Sequence, residues 1–232
     1  MKNFFQNLKI RNRYLIISLL LFIGIIIFLL GLGKTGLIDE TPPLFASAGR
    51  AMSQSGDWIT PKVNGILRFD KPPFYYWLMA LIYSIPGNQN WDQLGSFSAR
   101  LPSAISSLLL FLTIADTIFF YYKKSNHKSY LALVSSLGFA LSPLVIIWSR
   151  TAVSDSLLCS TIGISLLLFW RKFVENNSKS SLLPWIVLGL AILTKGPVAL
   201  VIVALTLITF LFTQKDWKRL LFKIKPLKGL FI

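Results

Sequence analysis

The chain has 232 residues, 54% of them hydrophobic and only 14% charged, with a mean hydropathy of +0.63. That much apolar surface excludes a water-soluble globule and marks an integral membrane protein. A net charge of +15 would suit a nucleic-acid binder, but the basic residues fall in short runs between apolar segments, as the positive-inside bias requires, which argues against nucleic acid as a partner.

In chain order, the first apolar run, 14–32, follows Lys2, Lys9, Arg11 and Arg13. It has the ~20 residues that cross ~30 Å of hydrocarbon and no small-residue cleavage site, which predicts a retained anchor with a cytoplasmic N-terminus. The polar stretch 34–99 then reads as a first extracytoplasmic loop. Within it Thr41 is placed to cap a helix with Pro42 and Pro43 in its first turn, and Leu44, Ala48 and Met52 recur on one face through Ser55. The expectation is an amphipathic helix lying on the membrane, with Asp39-Glu40 between it and the first span, at headgroup depth.

The segment 73–85 is short for a span, and its rings Phe74, Tyr75, Tyr76, Trp77 and Tyr83 prefer the membrane interface. Kept on the outer surface, it leaves most of the 24 basic residues on the cytoplasmic side with only Glu175 and Asp216 as acids, so it is read as non-crossing. Further spans are expected at 101–122, 130–148 and 156–170, and in two arms of 182–212 divided by Thr194-Lys195-Gly196-Pro197. The reading is an all-α integral membrane protein, a single domain over 1–232. It is a polytopic bundle of about six spans with interfacial helices in the external loop and a basic cytoplasmic tail at 214–232. Asp39 and Asp155 share the outer face, and the short arm 182–193 is the least comfortable span. Asp116, inside a span, is read as satisfied by a neighbouring span or by snorkelling. Cys159 is read as packing and, as the single cysteine, excludes an intramolecular disulfide and any cysteine-based metal site, and His127 falls in a Lys-rich turn with no metal role.

Asp39-Glu40 after the first span, Gly56-Asp57-Trp58, Asp70-Lys71-Pro72-Pro73 with Tyr75-Tyr76-Trp77, Ala99-Arg100-Leu101-Pro102-Ser103, Arg150 before Asp155, and Leu193-Thr194-Lys195-Gly196-Pro197 occur here in one order. Together they resemble the polyprenyl-phosphate-dependent membrane glycosyltransferases of class C fold, which include protein O-mannosyltransferases and the lipid A aminoarabinose transferase. The resemblance implies a sugar passed from a polyprenyl-phosphate donor to a hydroxyl of a lipid or protein acceptor, at the plasma (inner) membrane. It implies Asp39 as the base, supported by Glu40, Lys71 as a ligand of the donor phosphate, and Asp155 as a second acid of the same cavity. It leaves open a divalent metal held by Asp39 and Asp155; no other cofactor is implied.

Arg100 and Arg150 are read either as further phosphate ligands or as snorkelling residues paired with Asp92 or Asp155. Lys195 is read as a phosphate ligand or as a tie to a nearby carboxylate. The pattern departs from the family at Thr41-Pro42-Pro43-Leu44-Phe45, where a polar residue and a tyrosine are usual, and the chain is expected to be the N-terminal portion of the family's module. Two other readings follow: a truncated relative or half of a split enzyme completed by a second polypeptide, and a lipid-carrier transporter or flippase.

Overall fold

A computed structural model describes residues 13–123, 125–174, 182–214, 223–224 and 229. The predicted basic segments at the N-terminus, at Lys124 and Lys179, and over most of the tail 214–232 lie outside the described residues. Helix α1 (Arg13–Leu29) is followed by α2 (Thr41–Ser55), a hairpin of β1 (Lys62–Val63) and β2 (Ile66–Leu67), α3 (Phe74–Tyr83) and the single turn α4 (Asn88–Trp91). Then come α5 (Ser96–Tyr121), α6 (Lys128–Ala140), α7 (Pro143–Ser149), α8 (Ser154–Val174), α9 (Leu183–Lys195) and α10 (Val198–Phe212).

Among the described residues, α5 and α8 are each long and apolar enough to cross a bilayer alone. The expected span 130–148 is broken: α6 and α7 meet that test only together and are bent by 65°. The cause is Pro143, which has no N–H to donate and pushes Ser142 out of the helical region, to ψ 127°. The apolar helices α1, α9 and α10 are shorter, at 17, 13 and 15 residues. α9 and α10 part at Gly196, whose φ of 83° and ψ of −158° suit glycine, and at Pro197, where the sequence placed the break.

Three apolar clusters organise the packing. α1, α5 and α6 share one around Phe28, Leu108 and Phe111; α8, α9 and α10 share another around Phe169, Leu188 and Val203. The third lies in the loop 34–99, where α2 and α3 bury Phe45, Met52, Tyr75, Tyr76 and Met79 between them. The two helices approach closely at Gly49, where a Cβ would stand 2.7 Å from that of Met79. Phe45 packs on Tyr75 and Tyr76 with ring centroids 5.3 and 5.2 Å apart.

This corrects two expectations for the loop. Tyr75 and Tyr76 are 0% exposed instead of spread over the interface, because each hydroxyl finds an internal partner. α2 begins at Thr41 itself with no side-chain cap, and its buried face carries Phe45, Ala48 and Met52, while Leu44 is exposed.

Candidate functional site

The site begins where α1 ends. The last carbonyls of a helix have no intrahelical partner and carry partial negative charge. Two arginines from later helices answer them. Arg150 donates from Nη1 to Ile27 O at 2.8 Å and from Nη2 to Leu30 O at 2.7 Å. Arg100, 8% exposed, donates from Nη1 to Leu32 O and Thr35 O and from Nη2 to Gly36 O, each at 2.8 Å. Of these residues, read from sequence either as phosphate ligands or as snorkelling residues, the structure shows five donor contacts that go to the backbone leading to Asp39. Neither pairs with the carboxylates suggested from sequence. Asp92 accepts the amide hydrogens of Phe97 and Ser98 at the start of α5, at 3.2 and 2.7 Å, and Asp155 pairs with Lys195.

The pinned turn delivers Asp39 in the left-handed region, at φ 77°. A residue with a Cβ is held there against a cost of about 1–3 kcal/mol, and such positions concentrate at functional sites. Asp39 Oδ1 accepts the Glu40 N–H at 2.7 Å. Both side chains are exposed, and neither carboxylate is ion-paired among the described residues.

Between α2 and α3 the other charges of the loop are used internally. Asp57 accepts from the backbone N–H of Ile59 and Thr60 at 3.2 and 3.0 Å and from Lys62 Nζ at 3.3 Å. The Thr60 N–H, foremost, holds its carboxyl below the usual range, as the charged form is the better acceptor. Asn64 and Gly65, both at positive φ, join β1 to β2 as a two-residue hairpin turn, with Val63 opposite Ile66. Arg68 then grips Asp70 with two bonds of 2.8 and 2.9 Å, and the Tyr76 hydroxyl donates to Asp70 at 3.2 Å. The Arg68 bonds are the main cause of the lowered Asp70 pKa. Lys71 comes directly after this filled carboxylate. It is half-buried, and its ammonium has no hydrogen bond or ion pair among the described residues.

Asp155 opens α8, and Lys195 closes α9; their charged atoms are 2.5 Å apart. The tie to a carboxylate was one of the two readings of Lys195. A buried hydroxyl network sets α3, α5 and α8 against one another beside them. Tyr75 Oη and Ser103 Oγ are 2.8 Å apart, Ser103 donates to Val153 O at 3.0 Å, and Ser107 and Ser156 meet at 2.7 Å. Among the described residues, no three His, Cys, Asp or Glu side chains gather as metal ligands. Asp155 is turned to an ammonium, so these residues do not form a fitted cation site.

The sequence reading missed the Asn64-Gly65 turn, although Asn-Gly between apolar pairs is its ordinary signature. It also missed the Arg68–Asp70–Tyr76 assembly. No local signal announces that one, because Tyr76 joins it only when α3 folds back.

The model of the family described as dolichyl-phosphate-mannose-protein mannosyltransferase matches residues 70–232. The chain belongs to that family. The match takes in Lys71, Arg100, Arg150, Asp155 and Lys195, and begins after Asp39. A curated relative, undecaprenyl phosphate-alpha-4-amino-4-deoxy-L-arabinose arabinosyl transferase 2 of Pseudomonas fluorescens, is 28% identical over 215 residues, covering 88% of this chain and 36% of that protein. That share of the chain is too large for the similarity to begin after Asp39. An uncharacterized protein of Aquifex aeolicus is 35% identical over 189 residues, covering 80% of this chain and 39% of its own length. Among solved structures, ArnT from Cupriavidus metallidurans, in the apo state and bound to undecaprenyl phosphate, superposes with a TM-score of 0.77 at 23% identity. The superposition covers 92% of this chain and 38% of that one. The fold is thus the helical membrane fold of this family, as the sequence resemblance implied, and the chain spans little more than a third of the length of these relatives.

Proposed function

We propose that this chain forms the donor-binding and proton-accepting part of a glycosyltransferase that moves a sugar from a polyprenyl phosphate to a hydroxyl of a lipid or protein acceptor. The observation that carries the reading is selective neutralisation. In the loop 34–99, Asp57, Lys62, Arg68, Asp70 and Asp92 are all satisfied internally and Arg50 lies over the Tyr83 ring, whereas Asp39, Glu40 and Lys71 are left open beside the family's motifs, as is the exposed Lys34 at the end of the first span. An open carboxylate and an open ammonium are what the two ends of glycosyl transfer require.

In the proposed step, the Asp39 carboxylate takes the proton of the acceptor hydroxyl as that oxygen attacks the anomeric carbon. The bond from that carbon to the phosphate oxygen breaks with inversion, and its electron pair leaves on the polyprenyl phosphate. Lys71 stabilises the charge appearing there, acting as a compact cation close to the departing oxygen. Glu40 supports Asp39, and Asp155, oriented by Lys195, faces the acceptor or the sugar. Arg100 and Arg150 act one step removed, by fixing the backbone on which Asp39 sits.

The active face is placed outside the plasma (inner) membrane and the N-terminus in the cytoplasm, with six crossings in which 34–99 is the first external loop. Single cysteines at the exposed Asn64 and Asn126 in a Cys159→Ala background check this: Asn64 should label from outside and Asn126 should not, and the reverse pattern overturns the orientation.

Donor binding tests the functional reading directly. Lys71→Ala in the folded, inserted chain should weaken binding of a polyprenyl-phosphate sugar by roughly 10- to 150-fold, the range for one hydrogen bond to a charged group. Lys71→Arg should keep part of it. Unchanged binding in Lys71→Ala would remove Lys71 from the donor site.

A further inference from the structure

A second concentration of charge lies at the far end of α5, roughly 24 Å along the helix from Arg100 at ~1.5 Å per residue. A cleft of about 390 Å³ is lined there by Arg13, Asp116, Phe119, Phe120, Lys123, Lys128 and Arg171. Four cations therefore face one carboxylate. Asp116 is bonded by Arg13 and by Arg171 Nη1, the latter at 2.9 Å. The rest of the Arg171 fork is held by Thr117, whose Oγ1 accepts from Nε at 3.0 Å and Nη2 at 2.6 Å.

The two lysines are held without being neutralised. Lys123 Nζ sits 4.6 Å from the centre of the Phe120 ring, a contact that orients an ammonium and leaves its charge intact. Lys128 Nζ spends one hydrogen on the Lys123 carbonyl at 3.1 Å. Neither is paired with a carboxylate among the described residues. Beside them, the rings of Phe119 and Phe120 give the cleft an apolar wall.

We propose that this cleft is a binding site for a phosphate headgroup, supplied by an anionic phospholipid of the leaflet opposite the Asp39 loop. Lys123 and Lys128 contact the phosphate, Arg13 adds charge at the rim, and the phenylalanines meet the glycerol and upper acyl carbons. Asp116 with Arg171 is the scaffold: it locks α5 to α8 so that the lysines converge. A soluble phosphate shares the charge chemistry but makes no use of the apolar wall. The basic residues of the cleft are also drawn to the negative potential of an anionic leaflet, worth about fivefold in binding per basic residue. The site is separate from the donor-binding loop and does not depend on the function proposed for it.

The test uses the whole chain in detergent, titrated with phosphatidylglycerol, phosphatidylcholine or inorganic phosphate and followed by native mass spectrometry. The wild type should retain phosphatidylglycerol and not phosphatidylcholine. Lys123→Gln/Lys128→Gln should weaken the anionic lipid by roughly 10-fold or more, the loss of at least one hydrogen bond between charged groups. Lys123→Arg/Lys128→Arg should hold it near the wild-type level, which separates lost charge from lost fold. Equal retention of the two lipids, or undiminished phosphatidylglycerol binding in the double glutamine variant, overturns the proposal. Tight binding of inorganic phosphate with no preference between the lipids overturns the lipid assignment in favour of a soluble anion.

Discussion

The two ends of α5 both gather arginines, and these meet different partners. Near Ser96, Arg100 and its neighbour Arg150 point at neutral carbonyls, holding up a turn whose carboxylates Asp39 and Glu40 remain open. Near Tyr121, Arg13 and Arg171 converge on a carboxylate, Asp116, and close it. The lesson is that an arginine in a membrane protein identifies a ligand site only after its hydrogen bonds have been accounted for. At the first end the unspent groups include the acids and Lys71; at the second they include Lys123 and Lys128. The same residue type, arginine, is scaffolding at both.

The contrast breaks most sharply at Asp39. Asp39→Asn keeps shape and backbone but cannot accept a proton, so sugar transfer in membranes should fall by ~10² to 10⁴ with donor binding nearly unchanged. Full-rate transfer by the variant would make the open carboxylate an ordinary solvated side chain and erase the difference between the two ends.

Arg100 comes next. Arg100→Met leaves three backbone carbonyls without their charged donor, at about 1.5–3 kcal/mol for a hydrogen bond to a charged group, with partial relaxation toward water. Thermal unfolding in detergent should show a loss of about 3 kcal/mol, which Arg100→Lys recovers in part, because an ammonium cannot reproduce the fork. Unchanged stability would restore Arg100 as a residue free to meet the donor.

Asp155 sharpens the comparison on the site's own side. It pairs with Lys195; on the proposed reading that pair orients it, so Asp155→Asn should lower transfer by about tenfold, less than Asp39→Asn, in line with one lost charge-assisted contact. Asp155→Asn with Lys195→Met should cost little more than either alone. Additive losses would mean that the two act separately.

The smallest effect concerns Asp70. Its carboxyl is held below its ordinary value by Arg68, so the stabilisation is present above about pH 4, where an unfolded aspartate is ionised, and is lost as pH falls through the lower folded value. Its side chain is 46% exposed, so the contribution is under about 1 kcal/mol. Asp70→Asn should flatten stability between pH 5 and 3, by ~1 kcal/mol at most; an unaltered acid limb would show that another carboxylate dominates it.

The sequence by itself determined the membrane class, the positions of most helices and the order of family motifs, because hydropathy and proline or glycine breaks are local properties. It placed the bounds of α2 and the division at Gly196-Pro197 closely, and the hydroxyl-bearing rings of α3 were visible as a cluster. It could not show that Tyr75 and Tyr76 would be buried, since their preference for an interface is satisfied equally well by Ser103 and Asp70, which approach only when α3 packs on α5 and the hairpin folds back. Nor could it divide the charges into spent and open. Arg100 meets carbonyls 64 to 68 positions away, and Arg150 meets others 120 to 123 positions away. Which acids and which cations remain for a ligand is therefore a property of contacts distant in sequence, and only the tertiary structure decided it.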